Sequence, residues 1–264
     1  MEETTTKILF TSDSIQNQKT IGDALVSVAR RFKGDLLWLE TAANAELTNA
    51  LVDDLKKRAY RDLTIFEKSG EFWSTSVKTA NNIDAEMTFV FAEPKVPGLI
   101  GGGMAACVSK FKNPMIFFNH QTKWVEPRNI LMLLDSNSES RQKFYRVSVL
   151  AKMFGAKVNI FSLSSSKDNE TVKYLYAYSG QAFDYMVKKG IPVAELDPKE
   201  GADMVSTVLE ELGKIRDCWV SSMNETDGGG FMKAGPFQQY CVQFQVPFMA
   251  CAVQEIVGSG GSGY

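Results

Sequence analysis

Short continuous apolar runs alternate along the chain with longer segments whose apolar positions recur every three or four residues. The first pattern is that of strands buried on both faces, the second that of helices lying against them. The run in "ILFTSDS", Ile8 to Ser14, returns as "ILMLLDS", Ile130 to Ser136, with four of seven letters identical at an offset of 130 − 8 = 122 residues. Each copy ends at an aspartate followed by serine, which predicts a buried strand delivering a carboxylate to its exposed end. The offset persists, because "ARRFKGDLLWLE" (Ala29 to Glu40) falls on "AKMFGAKVNIFS" (Ala151 to Ser162). Both copies therefore predict strand, helix of about four turns, glycine-bearing turn and strand, a βαβ unit.

Further along, the copies keep the order of elements while the offset grows, as loop insertions make it do. "ELTNALVDDLKKRAY" places Leu47, Leu51, Leu55 and Ala59 at helical spacing before the β-rich "LTIFEKS", and "TVKYLYAYSGQAFDYMVKKG" precedes "IPVAEL" in the same way. "EFWSTSVKTANNI" and "EGADMVSTVLEELGKI" are helices leading to the strands "AEMTFVFAE" and "DCWVSSMNE". Each copy closes on a short helical segment, an X-Pro step and an apolar strand, "NPMIFFN" and "VPFMACAV". Strands alternating with helices of this length imply a mainly parallel sheet covered on both faces. The expected organisation is two repeated doubly wound α/β domains, residues 1–123 and 124–257, with the boundary in "NHQTKWVEPRN" and a flexible tail at 258–264. The two closing strands are strongly apolar edges, and pairing them with each other inside the chain would cover both.

Composition narrows the function. Lys+Arg total 29 against 31 Asp+Glu, and each half is near neutral, so the chain offers no basic field to nucleic acid or anionic lipid. "MEETTTKILF" lacks the basic start and long apolar core of a secretory signal, and the uncharged run from Ala234 to Gln254 is interrupted by glutamines and Pro247. The expectation is a cytoplasmic protein without a membrane segment. Cys107, Cys218, Cys241 and Cys251 show no metal-binding spacing and sit among apolar neighbours, as buried free thiols do. The one histidine, His120 in "FFNHQTKW", reads as a solvated residue at the domain junction. Trp38, Phe89, Phe91, Phe117 and Phe118 fall in strand-like runs and read as core. No set of nucleophile, base and oxyanion donors emerges, which argues for binding rather than catalysis, and no metal site is expected.

These features resemble the universal stress protein family in tandem form: a first strand ending in aspartate, a helix and second strand behind it, a fourth strand leading to a glycine-bearing loop, and a last strand begun by X-Pro. The resemblance implies a five-stranded sheet of order 3-2-1-4-5 in each domain, with ATP bound by many members at the carboxyl ends of strands one and four. It also implies pairing through the last strands, as separate single-domain members do. In ATP-binding members G-x-x-G, nine residues and G-[S/T] follow strand four, small residues that let backbone N–H groups reach the phosphates. Here the second element falls on Gly101 and Gly102, with Gly103 beside them, in the first copy, and on Ala234 and Gly235 in the second. The first element is replaced by "FAEP" (Phe91 to Pro94) and "SMNE" (Ser222 to Glu225), so Glu93 and Glu225 bring like charge to where phosphates would lie.

The candidate nucleotide edge is therefore Asp13, Ser14, Gly101, Gly102 and Gly103 in the first domain and, more weakly, Asp135, Ser136 and Gly235 in the second. The structural alternative for the Asp-Ser pairs is capping of the next helix, and for the triple glycine a tight loop-to-helix entry. The expected function is universal-stress-type ligand or partner binding in a stress response, with weak or no ATP binding. An adenine nucleotide, another small molecule, a protein partner and a homodimer all remain open. The alternatives are a nucleotide-hydrolysing enzyme of the adenine-nucleotide hydrolase-like group and a binder of an apolar metabolite.

Overall fold

The computed structural model describes residues 6–93, 107–201, 203–224 and 236–253. The first half runs β1 (Lys7–Ser12), α1 (Gln18–Arg31), β2 (Asp35–Glu40), α2 (Ala45–Ala59), β3 (Thr64–Glu67), α3 (Phe72–Asn82), β4 (Met87–Phe91) and β5 (Met115–Phe118). The second runs β6 (Asn129–Leu134), a 3₁₀ turn (Ser138–Gln142), α4 (Lys143–Phe154), β7 (Lys157–Ser164), α5 (Asn169–Lys188), β8 (Val193–Glu195), β9 (Lys199–Glu200), α6 (Met204–Leu212), β10 (Cys218–Asn224), α7 (Pro236–Gln243) and β11 (Phe248–Ala252). The main path of the sheet is β3-β2-β1-β4-β5-β11-β10-β6-β7-β8, with β9 paired to β7. Each half thus has strand order 3-2-1-4-5, all parallel, and the two are joined by the antiparallel pair β5–β11 into one sheet.

The repeat seen in the letters is written into the strand register. Lys7 faces Asp35 across β1–β2 and Asn129 faces Lys157 across β6–β7, so both strands carry the same offset, 129 − 7 = 157 − 35 = 122. Ile8 faces Met87 and Ile130 faces Trp219, which sets 219 − 87 = 132 for the fourth strand; Thr88 facing Met115 and Val220 facing Phe248 then set 248 − 115 = 133 for the last. Insertions of 132 − 122 = 10 residues and 133 − 132 = 1 residue account for the drift. By these offsets the residues ending the strands correspond as Asp13 to Asp135, Glu93 to Glu225 and His120 to Val253.

Side-chain alternation along these strands feeds two apolar layers, one on each face. Ile8 and Phe10 join Ile130, Met132 and Leu134 beneath α1, α2, α4 and α5, whereas Leu9 joins Leu131 and Leu133 beneath α3, α6 and α7. Both layers run across the junction, where Phe117 faces Phe248, Ile116 faces Met249 and Met115 faces Ala250. The connecting segment is anchored by Trp124, whose ring meets Phe118 at 5.8 Å, Trp219 at 5.3 Å and Phe154 at 6.1 Å. The indole N–H of Trp219 donates to Val125 O at 2.9 Å, and Glu126 accepts from Ser27 at 2.5 Å and Arg31 at 2.6 Å. Arg146 crosses in the other direction, to Glu86 at 3.0 Å and Asn113 at 2.7 Å.

Two glycines have a conformational reason. Gly155 ends α4 at φ 68°, the left-handed cap that lets its N–H reach Ala151 O. A Cβ at Gly34 would lie 2.0 Å from Thr6 O, so the turn into β2 admits only glycine. The short β9 and the 3₁₀ turn were not foreseen, since two and five residues carry too little periodicity to register. The aromatic residues read as core are buried, as are Cys107, Cys218 and Cys251.

Candidate functional site

In an open α/β sheet the place where strand order reverses leaves a crevice outside the carboxyl ends of the strands. In the first half that place is β1, flanked by β2 on one side and β4 on the other. Three side chains meet there from residues far apart in the sequence. Asp13 follows β1, its backbone N–H still bonded to Phe91 O at 3.0 Å. Glu93 follows β4, and its backbone N–H donates to Asp13 Oδ2 at 2.8 Å. His120 follows β5, with Nε2 3.2 Å from Asp13 Oδ1 and Nδ1 2.6 Å from Glu93 Oε1.

The histidine is held from behind. Asn119 Oδ1 accepts from the N–H groups of Gln121 and Thr122 and from the Thr122 hydroxyl, each at 2.9 Å, and its amide donates to Phe244 O at 2.9 Å. This side-chain-built turn fixes the chain leaving β5 and aims the next residue across the strand tips. Side-chain exposure falls from 49% at Glu93 to 22% at Asp13 and 16% at His120. The expectation of a solvated junction histidine is thereby corrected: the ring is a tie between three strand ends. A carboxylate only accepts, so the ring nitrogen 2.6 Å from Glu93 is placed to donate its N–H to that carboxylate.

Glu93 is therefore not the lone repelling charge that the sequence suggested, since it is paired with His120. Nor does Asp13 cap the next helix. Helix α1 starts at Gln18 behind Asn17, which makes no side-chain cap bond, and Asp13 serves β4 and β5 instead. Ser14 belongs to the local turn, its N–H donating to Ser12 Oγ and its Oγ accepting from Gln16 N–H, both at 3.3 Å. Beside it Asn44 ties the tips of β1 and β2, donating to Ser12 O at 2.8 Å and Leu39 O at 3.1 Å. Asn17 Nδ2 and Thr41 Oγ1 are buried without a hydrogen-bond partner among the described residues.

The second half arranges its counterpart differently. Asp135 Oδ1 accepts from Asn137 N–H at 2.9 Å and Ser140 Oγ at 2.5 Å, closing the 3₁₀ turn, and Ser136 lies in the bend between. Val253 stands where the first half has His120, so that position offers no histidine ring in the second half. Because β5 and β11 are antiparallel, the carboxyl ends of the two sets of strands point in opposite directions. Gly101, Gly102, Gly103, Ala234, Gly235 and Glu225 lie outside the described residues.

Other chemistries find little support among the described residues. No group of three or more His, Cys, Asp or Glu is arranged to hold a metal ion, and no helix is long and apolar enough to cross a membrane. Burial pushes the Cys107 and Cys218 thiols up to about 12 and Cys251 to about 11, so none of the three is a ready nucleophile. The sequence signal for the site was present but thin: the single histidine stands just past a buried strand, next to an asparagine able to build a turn.

Sheet order, crossover pattern and the edge at β1 and β4 define an α/β protein with the universal stress protein fold. The chain is similar over 96% of its length to a universal stress protein from Archaeoglobus fulgidus, at 12% identity and a TM-score of 0.66, covering 100% of that chain. It is also similar to a functionally unknown protein from Pseudomonas aeruginosa PAO1, at 11% identity and a TM-score of 0.65, covering 94% of this chain and 93% of that one. No family model matches the sequence, and no curated protein matches it.

Proposed function

We propose that this is a cytoplasmic universal-stress-type protein of two tandem domains, residues 1–123 and 124–257. It acts in a stress response by binding rather than catalysis, and its ligand edge is the carboxyl end of β1 and β4 in the first half. The observation that carries the reading is the Asp13–His120–Glu93 tie at the strand-order reversal. Its two carboxylates are unfavourable to a triphosphate. A unit negative charge about 5 Å from a phosphate costs about 1 kcal/mol in water and about 3 kcal/mol at an effective dielectric near 20. Glu93 is half exposed, so the lower part of that range applies, a weakening of roughly five- to thirtyfold. The loss of the first glycine pair of the family pattern adds to it. Asn17 Nδ2 and Thr41 Oγ1, buried without a hydrogen-bond partner among the described residues, favour a ligand that also carries neutral polar groups.

Titration calorimetry with Mg-ATP tests this directly. The expected result is a dissociation constant of roughly a millimolar or weaker; a value in the low micromolar range refutes the proposal. Incubation with Mg-ATP separates the hydrolase alternative: steady turnover abolished by Asp13→Ala would establish an enzyme instead.

A further inference from the structure

Glu93 differs from its two partners in how it is held. Its backbone is fixed to Asp13 at 2.8 Å, while the recorded contact of its carboxylate is with His120 Nδ1 at 2.6 Å. The side chain is half exposed, so it swings away by rotation about its own bonds without moving β4. His120 stays where it is, because the Asn119 turn and Asp13 hold it independently of Glu93. What Glu93 leaves behind is a positioned ring N–H donor at the strand-order reversal, a place where ligands of such sheets bind.

We propose that Glu93 is an internal plug: its carboxylate occupies, on His120, the position that an oxyanion of a ligand would take, so the first half is self-inhibited toward anions. This rests on the functional reading above, and it turns poor anion binding from a lost property into a masked one. The contact is short and charge-assisted, the kind that a carboxylate or phosphate oxygen reproduces atom for atom. The second half supplies the internal contrast, since Val253 stands at the histidine's position and offers no donor side chain. A ligand or partner that draws Glu93 outward would open the site, which makes the plug a point of control.

His120 is the only histidine, so its ring resonances report the site without ambiguity in the untagged full chain. Pyrophosphate and citrate, a phosphate and a carboxylate oxyanion, would be titrated into the wild type, Glu93→Gln, Glu93→Ala and the double variant Glu93→Gln/His120→Gln. Removing the charge should tighten pyrophosphate binding by about tenfold or more, with the histidine resonances moving at saturation, and His120→Gln should erase the gain. An equal gain for citrate assigns the position to oxyanions in general, and a gain for pyrophosphate alone assigns it to phosphate; both support the plug. No gain for either probe in both Glu93 variants, or a gain that survives loss of His120, overturns it. A low-micromolar Mg-ATP affinity in the wild type would instead strike the functional reading, so the two failures are distinguishable.

Discussion

The pair Ile116–Met249 sits at the centre of the join between the halves, and it is where that join is most open to measurement. By the last-strand offset of 133 the two residues are each other's counterparts, and they face each other directly across β5–β11. Both are fully buried and both belong to the same apolar layer. Opposed residues of an antiparallel pair have Cβ atoms about 4.5–5.5 Å apart, so their side chains share one packing space. Truncating either to alanine removes buried atoms and leaves a cavity, at a cost of about 2–5 kcal/mol. In a chain of this size that lowers Tm by roughly 4–20 °C, at about 2–4 °C per kcal/mol. Because both changes open the same space, the double variant should depart from the sum of the singles by about 0.5–3 kcal/mol. Urea denaturation of the wild type, Ile116→Ala, Met249→Ala and the double variant closes the cycle, with limited proteolysis of the segment from Asn119 to Asn129 read alongside. Additivity within about 0.5 kcal/mol, with unchanged cleavage of that segment, would refute the argument that these strands hold each other.

Two further outcomes follow from titratable groups. The hydrogen bond from Arg31 holds the Glu126 carboxyl below its ordinary value of 4.5, with Ser27 adding to it and partial burial opposing it. A depressed carboxyl contributes stability that is present above its unfolded value and lost as pH falls through the folded one. Acid titration should therefore loosen the connecting segment below about pH 4.5, and Glu126→Gln should remove that part of the pH dependence; an identical acid profile in the variant would refute the role. Cys107, Cys218 and Cys251 should resist alkylation at pH 8 in the native protein and react on unfolding, as mapped by peptide mass spectrometry. Rapid native modification of any of the three would show that its site opens.

Local sequence carried the repeat, the order of the principal elements and the apolar strands, because periodicity is a short-range property. A strand buried on both faces reads as an unbroken apolar run, as in "ILMLL", wherever it sits in the sheet. The offset of 122 survived into the register of β1 with β2 and β6 with β7 because the βαβ connection between them is the same length in both copies. The closing strands Met115–Phe118 and Phe248–Ala252 were legible as edges needing a partner, while their antiparallel register was not.

Tertiary structure alone decided the site. Asp13, Glu93 and His120 are separated by 80 and 27 residues, and no local pattern links a strand-one aspartate to a histidine beyond strand five. Read along the chain, Glu93 is a repelling charge and His120 a solvated residue of a junction; brought together at the tips of β1, β4 and β5, each is the other's partner. The same holds for Asp13 and Asp135, alike in the letters and put to different use, one tying strand ends and the other closing a 3₁₀ turn. A strand's composition is set by the two layers it separates, whereas the meaning of the residue after it depends on which other strand ends arrive beside it. That is fixed by sheet order and register, long-range quantities that the hydrophobic pattern does not contain.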